Sequence, residues 1–90
     1  MNVQCESLAA DMETVANEVL AIAKYPHETL WAEGVRIAAA LTRQADDLEQ
    51  ARAAVYTQWQ RTMPVRSDMR AGLRAGLTML DKECREESKP

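Results

Sequence analysis

The sequence predicts an all-α fold in which three helices form an antiparallel bundle with a long central helix. Apolar residues recur at helical spacing along most of the chain. Alanine is the commonest residue and phenylalanine is absent, so the apolar side chains are small and suit closely packed helices. Two internal prolines, Pro26 and Pro64, divide the chain into three segments. The 90 residues are expected to form one helical domain, 1–90, with a frayed tail at 86–90.

The first predicted helix covers about residues 3–24. Its apolar positions follow one another at alternating steps of three and four residues, and they are Cys5, Leu8, Met12, Val15, Val19 and Ile22. This spacing is typical of a helix that docks along another helix. We therefore expect one continuous helix in this segment.

The second predicted helix covers residues 27–63, with Pro26 at its start, where the missing N–H has no intrahelical partner to lose. A narrow apolar stripe consists of Leu30, Ile37, Leu41, Leu48, Val55 and Trp59. A shoulder beside this stripe consists of Trp31, Val35, Ala38, Ala45, Tyr56 and Met63. Together they span roughly 160°, more than the ~100° that one neighbouring helix needs. A break at Gly34 is the alternative, but the stripe keeps its phase across that residue, which favours one helix.

The length of this central helix predicts an assembly. At 1.5 Å per residue it would extend about 54 Å, whereas the flanking helices reach only about half to two thirds of that length. They are therefore expected to leave part of its apolar surface uncovered. A second copy of the chain would cover that surface, so we predict a homodimer.

The third predicted helix covers residues 67–86 and starts with Ser67 as N-cap and Asp68 in the first turn. In the stretch "RAGLRAGLTML", Gly72 and Gly76 lie four residues apart beside an apolar stripe. Each glycine costs about 1 kcal/mol relative to alanine inside a helix, so we interpret the pair as a surface that another backbone approaches closely. The residues predicted for helix packing or self-association are Gly72, Leu73, Gly76, Leu77 and Leu80.

Charge is distributed unevenly along the chain. Residues 1–23 include four acidic residues and no basic residue, whereas residues 61–74 include four arginines and one aspartate. Arg66, Arg70 and Arg74 recur every four residues and therefore align on one side of the third helix. Guanidinium groups bind carboxylates and phosphates through paired hydrogen bonds. We favour pairing with the acidic first helix or a dimer mate. Binding of nucleic acid, of a nucleotide or of an acidic patch on a partner protein stays open.

The remaining candidate residues favour structural roles. Trp31 and Tyr56 lie on the shoulder of the central helix, where core packing is favoured over a role as exposed interface anchors. The two cysteines occupy apolar positions and are interpreted as small buried side chains. His27 begins the stretch "HETLW", which has Trp31 where the zinc motif H-E-x-x-H has its second histidine. We therefore predict no catalytic residue, no metal site and no cofactor.

The predicted function is protein binding by a cytoplasmic, non-enzymatic protein. The start "MNVQCESLAADME" lacks the basic region and apolar run of a signal peptide, and no stretch approaches the ~20 apolar residues that span a bilayer. An adaptor or an inhibitor would both fit, and the predicted partner-binding residues are Trp31, Tyr56, Arg66, Arg70 and Arg74. The alternative is nucleic-acid or nucleotide binding through the three arginines. Short acidic helical chains of this type are common among accessory proteins of phages and other mobile elements, including inhibitors of host defence.

Overall fold

The computed structural model describes residues 2–62 and 67–87 of the chain. Within these ranges there are four helices, which are α1 (Val3–Ile22), α2 (Pro26–Gln44), α3 (Leu48–Arg61) and α4 (Ser67–Glu87). The all-α class is confirmed, but the prediction of three helices is wrong. The predicted frayed tail falls largely on residues 88–90, which lie outside the described residues, as does Arg66.

The predicted central helix, 27–63, is interrupted at Ala45, whose backbone is extended at φ −78° and ψ 152°. A second helix then starts at an aspartate cap. The carboxylate of Asp47 accepts a hydrogen bond from the Gln50 N–H at 2.7 Å, and the Gln50 side chain accepts one from the Asp46 N–H at 2.6 Å. An N-cap of this kind stabilises a helix start by about 1 kcal/mol, and the reciprocal bonds satisfy N–H groups near the helix start.

This interruption changes how the apolar surface is covered. The longest dimension of the molecule is 42 Å, which is shorter than the roughly 54 Å of an uninterrupted helix. Because α3 packs against α4, its residues Leu48, Ala51 and Val55 are buried within a single chain. The homodimer therefore stays a prediction, without the uncovered long helix that motivated it. Gly34, considered above as a possible break, lies inside α2.

The helices α2 and α4 lie side by side and run in the same direction. Gly34 of α2 packs against Gly72 of α4, and Ala38 packs one turn further along against Gly76. The helix α1 lies antiparallel against α2, and α3 lies antiparallel against α4. The predicted antiparallel arrangement therefore applies to these two outer pairs, whereas the central pair is parallel.

Small side chains build the core. Of the sixteen buried apolar residues in the described part of the chain, seven are alanine. In α2 the fully buried apolar side chains are Ala32, Val35, Ala38 and Ala39. The larger residues of the predicted stripe, Leu30, Ile37 and Leu41, are exposed or half-buried. The helix α2 therefore docks through its small residues, which allow the backbones of neighbouring helices to come closer than larger side chains would.

The closest approach is between Gly34 and Gly72, where α2 crosses α4. A Cβ atom on Gly34 would lie 2.1 Å from the backbone oxygen of Met69. A Cβ atom on Gly72 would lie 2.0 Å from the backbone oxygen of Trp31. Real side chains do not approach backbone atoms this closely, so each of these two positions requires glycine at the observed helix separation.

One turn further along, Gly76 faces Ala38, and a Cβ atom on Gly76 would lie 2.4 Å from the Ala38 Cβ. Leu73 and Leu80 are fully buried in the core and Leu77 is 4% exposed. All five residues predicted for packing therefore lie in, or next to, contacts inside one chain. Self-association through these residues stays a prediction.

Candidate functional site

The described arginines of the predicted row pack on a tryptophan of α3. The Cζ atom of Arg70 lies 4.0 Å from the centroid of the Trp59 ring, and that of Arg74 lies 5.4 Å from it. The Nε–H of Arg70 also donates a hydrogen bond to the Trp59 carbonyl oxygen at 3.2 Å. Guanidinium groups are attracted to the electron-rich face of an indole at these distances. Trp59 therefore contacts both arginines, and it holds Arg70 through two interactions.

Tyr56 extends this arrangement on α3. Its ring centroid lies 5.7 Å from that of Trp59, with the planes tilted by 31°. Residues three or four apart share a face of a helix, which brings Tyr56 and Trp59 together on α3 and Arg70 and Arg74 together on α4. Tyr56 is 44% exposed, Arg74 is exposed, and Trp59 and Arg70 are half-buried. We call these four residues, Tyr56, Trp59, Arg70 and Arg74, the Trp59 surface.

No carboxylate among the described residues forms an ion pair with the two arginines of this surface. Among residues 2–62 and 67–87, the ion pairs are Glu33–Arg36, Glu13–Arg43 and Arg52–Asp81, and none of them includes Arg70 or Arg74. The acidic first helix instead uses Glu13 to bind Arg43 of α2. The hydrogen bond from Arg43 lowers the pKa of the Glu13 carboxyl and raises that of the guanidinium. The Trp59 surface therefore presents positive charge beside aromatic rings.

A groove continues from this surface along the seam between α3 and α4. It has a volume of about 380 Å³, and we call it the α3–α4 groove, with the lining residues Glu49, Arg52, Ala53, Tyr56, Arg74, Leu77 and Asp81. At the end away from Trp59, the Nε of Arg52 lies 2.5 Å from an Asp81 carboxylate oxygen. This pair joins the two helices. The groove is open to solvent, so it suits side chains of another protein better than an enclosed small molecule.

Trp31 does not belong to the Trp59 surface. It is half-buried and lines a separate shallow hollow with Val19, His27, Glu28 and Asp68. The structure therefore brings together three of the predicted partner-binding residues, Tyr56, Arg70 and Arg74, and leaves Trp31 apart from them. The fifth, Arg66, lies outside the described residues.

Sequence reasoning missed the role of Trp59, which it assigned to the buried stripe of one long helix. The helix-start signal Asp47-x-x-Gln50 could have corrected this assignment, because it separates α3 from α2 and gives each helix its own orientation. On a separate α3, the three-residue spacing between Tyr56 and Trp59 predicts a shared face. The signal was therefore present in the sequence.

Within 2–62 and 67–87 no group of three or more histidine, cysteine or acidic side chains is arranged to bind a metal ion. The His27 ring stacks on Tyr25 with centroids 5.7 Å apart, and Glu28 accepts hydrogen bonds from the N–H groups of Lys24 and Tyr25.

No described helix combines the length and apolar character needed to cross a membrane.

In the part of the chain that the structure describes, four helices carry one surface on α3 and α4 that combines two arginines with two aromatic residues. Comparison with known proteins adds no family to this description: no protein-family model, curated protein or solved structure matches the chain.

Proposed function

We propose that this protein is non-enzymatic and acts by binding another protein through the Trp59 surface. The observation that carries the proposal is the pair Arg70 and Arg74, which pack on Trp59 beside the exposed Tyr56 without joining an ion pair among the described residues. Tryptophan, tyrosine and arginine are the residue types that dominate the binding energy of protein interfaces.

Preorganisation supports the same proposal. Arg70 is positioned both by its hydrogen bond to the Trp59 carbonyl oxygen and by its contact with the ring. A side chain already restricted in the unbound protein loses less conformational entropy when a partner binds. The ion pair Arg52–Asp81 further joins α3 to α4. A surface fixed in this way would serve an adaptor or an inhibitor equally well.

A protein partner is favoured over nucleic acid. The net charge of the chain is −3, which disfavours long-range attraction of a phosphate backbone. One face of the Trp59 ring is also covered by the Arg70 guanidinium, whereas binding of single strands depends on open aromatic faces for base stacking. Nucleic-acid or nucleotide binding remains the competing outcome of the experiments below.

Photo-crosslinking tests the proposal at a single residue. With Tyr56 replaced by the photoreactive residue p-benzoylphenylalanine, we expect one protein in a lysate of the source cells to crosslink to the full-length chain. The same replacement at Ala40, which is exposed on α2, is the matched control. Adding Arg74→Glu should abolish the crosslink from Tyr56, and adding Arg36→Glu on α2 should preserve it. No crosslink, or equal capture from Ala40, would contradict the proposal.

Three further parts of the proposal rest on the sequence alone. They are a cytoplasmic location, a homodimeric state, and a role as an inhibitor encoded by a phage or another mobile element. Light scattering tests the second directly, because a mass near 10.1 kDa at micromolar concentration would contradict a homodimer. The neighbouring genes would test the third.

A further inference from the structure

We infer that the α3–α4 groove binds an acidic amphipathic segment of the partner protein, with a carboxylate at Arg74 and an adjacent apolar side chain between Tyr56 and Leu77. This inference rests on the proposed function and specifies the chemistry of its partner. It depends on the charges, the floor and the length of the groove.

The charges of the groove place the acidic group at the end near Trp59. Arg52 and Asp81 neutralise each other in a direct ion pair, which leaves Arg74 as the cation available to a ligand. Arg70 lies against the same indole ring, and toward the described residues it donates one hydrogen bond, from its Nε–H to the Trp59 carbonyl oxygen. A guanidinium group has five N–H donors, so four remain on Arg70. Two adjacent guanidinium groups with available donors are complementary to carboxylates.

The opposite end of the groove disfavours an acid. Glu49 belongs to the groove lining, one helical turn before Arg52 on α3, and its charge would repel a second carboxylate there. Since Arg74 lies on the other side of the Arg52–Asp81 pair along the groove, the ligand has a defined orientation. Its acidic end lies toward Trp59.

The floor of the groove fits an apolar side chain. Ala53 is a small exposed residue of α3, Leu77 is a nearly buried residue of α4, and the exposed Tyr56 ring forms one wall. An aliphatic or aromatic side chain seated there would remove apolar surface of Tyr56 and Ala53 from water above Leu77, and this burial stabilises a complex.

The groove is long enough for a helical ligand. Arg74 and Asp81 are seven residues apart on α4, about 10 Å along the helix axis. This distance corresponds to two turns of a ligand helix lying along the seam. A carboxylate and an apolar residue three or four positions apart would then face the groove together.

A peptide-display selection tests the inference on the full-length chain. Random 16-residue peptides are selected on the biotinylated protein, synthesised, and titrated by fluorescence anisotropy. We expect the selected peptides to have an acidic residue three or four positions from a large apolar residue. Arg74→Glu should weaken their binding by about tenfold to a hundredfold, the range for a lost hydrogen bond between charged groups. Peptides with lysine at the acidic position should bind this variant better than the wild type.

Two controls separate charge from folding. Arg36→Glu makes the same charge change on α2 and should leave peptide affinity unchanged. Arg74→Gln removes the charge without reversing it and should weaken binding less than Arg74→Glu does. Circular dichroism verifies that each variant is helical, and if Arg74→Glu does not fold, Arg74→Gln decides the result by weakening binding or leaving it unchanged.

The remaining outcomes distinguish the inference from the proposed function. Peptides without acidic residues whose binding is lost in Tyr56→Ala would overturn the inference and leave the proposed function standing. Peptides insensitive to both Tyr56→Ala and Arg74→Glu would overturn both. Failure to select any peptide would overturn the inference, while crosslinking from Tyr56 would still decide the proposed function. Binding of a single-stranded oligonucleotide that Arg74→Glu abolishes would replace the acidic segment by nucleic acid.

Discussion

The two contacts of α4 differ in kind. Toward α2 it presents Gly72, where the two helix backbones meet with no side chain between them, and Gly76, which packs on the Ala38 methyl group. Toward α3 it presents Arg70 and Arg74, which pack on Trp59, and Arg74 also lines the α3–α4 groove. Each arginine lies two positions before a glycine, and two residues correspond to about 200° around a helix. The stretch "RAGLRAGLTML" therefore has one face for folding and another available for binding.

The contrast explains why glycine is present despite its cost in helix propensity. On the side of α2, the lost propensity is offset by the close packing of two backbones and the burial of leucines beside them. On the side of α3, large polar and aromatic side chains separate the helices and leave space at the seam. We expect substitutions on the first side to change stability, and substitutions on the second side to change binding.

The largest effect is expected from Gly72→Ala. At an uncrowded helix position this change would stabilise the protein by about 1 kcal/mol. Here the new Cβ would lie 2.0 Å from the Trp31 carbonyl oxygen, so the two helices must separate. We expect the free energy of unfolding to fall by about 2–3 kcal/mol. Urea unfolding followed by circular dichroism measures the change. In the neighbouring control Ala71→Gly, at an exposed position, only propensity is lost. A Gly72→Ala protein as stable as the wild type would contradict the close approach.

A smaller and reversible effect is expected from Gly76→Ala. Its new Cβ would meet the Ala38 Cβ at 2.4 Å, and we expect a loss of about 1–2 kcal/mol. Because the clash is with a single methyl group, Ala38→Gly in the same chain should restore most of the stability. The double-mutant cycle measures this coupling. The control combines Gly76→Ala with Ala40→Gly, at an exposed position of α2, and should show no recovery of stability. If Ala38→Gly and Ala40→Gly both combine additively with Gly76→Ala, a direct contact between residues 38 and 76 is excluded.

The sequence predicted much of the face toward α2. The helical class, the start of α4 at Ser67 and the interpretation of Gly72 as a point of close approach all follow from spacing and residue type, because they depend on contacts within one helix or on a missing side chain. The partner of that glycine, Gly34, was instead considered as a possible helix break. Its role depends on how two distant segments are arranged, which local periodicity does not contain.

The face toward α3 was predicted less well. One helix was expected over 27–63 because its apolar stripe stays in phase, and phase alone does not reveal a cap such as Asp47. This error placed Trp59 in the core of a rod. The pairing of Arg70 with acidic residues was predicted separately, from the uneven charge along the chain, and the ion pairs among the described residues do not include Arg70. Once α3 is a separate helix that lies antiparallel to α4, Trp59 meets Arg70. The hydrogen bonds at the start of α3 therefore make α3 a separate helix, and this helix contributes Tyr56 and Trp59 to the candidate site.

The interruption itself can be tested with Asp47→Ala. The variant loses the bond from the Gln50 N–H to the Asp47 carboxylate, and we expect a loss of about 1 kcal/mol, the usual effect of removing an N-cap. Asp46→Ala is the matched control, because Asp46 contributes its backbone N–H to the turn and should change stability less. Equal midpoints of urea unfolding for the two variants would show that the cap does not determine the start of α3.

The smallest effect is expected at the exposed edge between α1 and α2, from Glu13→Gln. The hydrogen bond from Arg43 lowers the folded-state pKa of Glu13 below its ordinary value of 4.5, so at acidic pH the unfolded chain takes up the proton first. The resulting stabilisation is complete above pH 4.5 and is lost as the pH falls through the folded-state pKa. Both side chains are about 40% exposed, so the effect is small and is screened by salt. Thermal unfolding at low salt should show the wild type slightly more stable than Glu13→Gln at pH 7, with the difference vanishing at acidic pH. If the wild type is still more stable than Glu13→Gln at acidic pH, the stabilisation at this position comes from packing of the side chain and not from its charge.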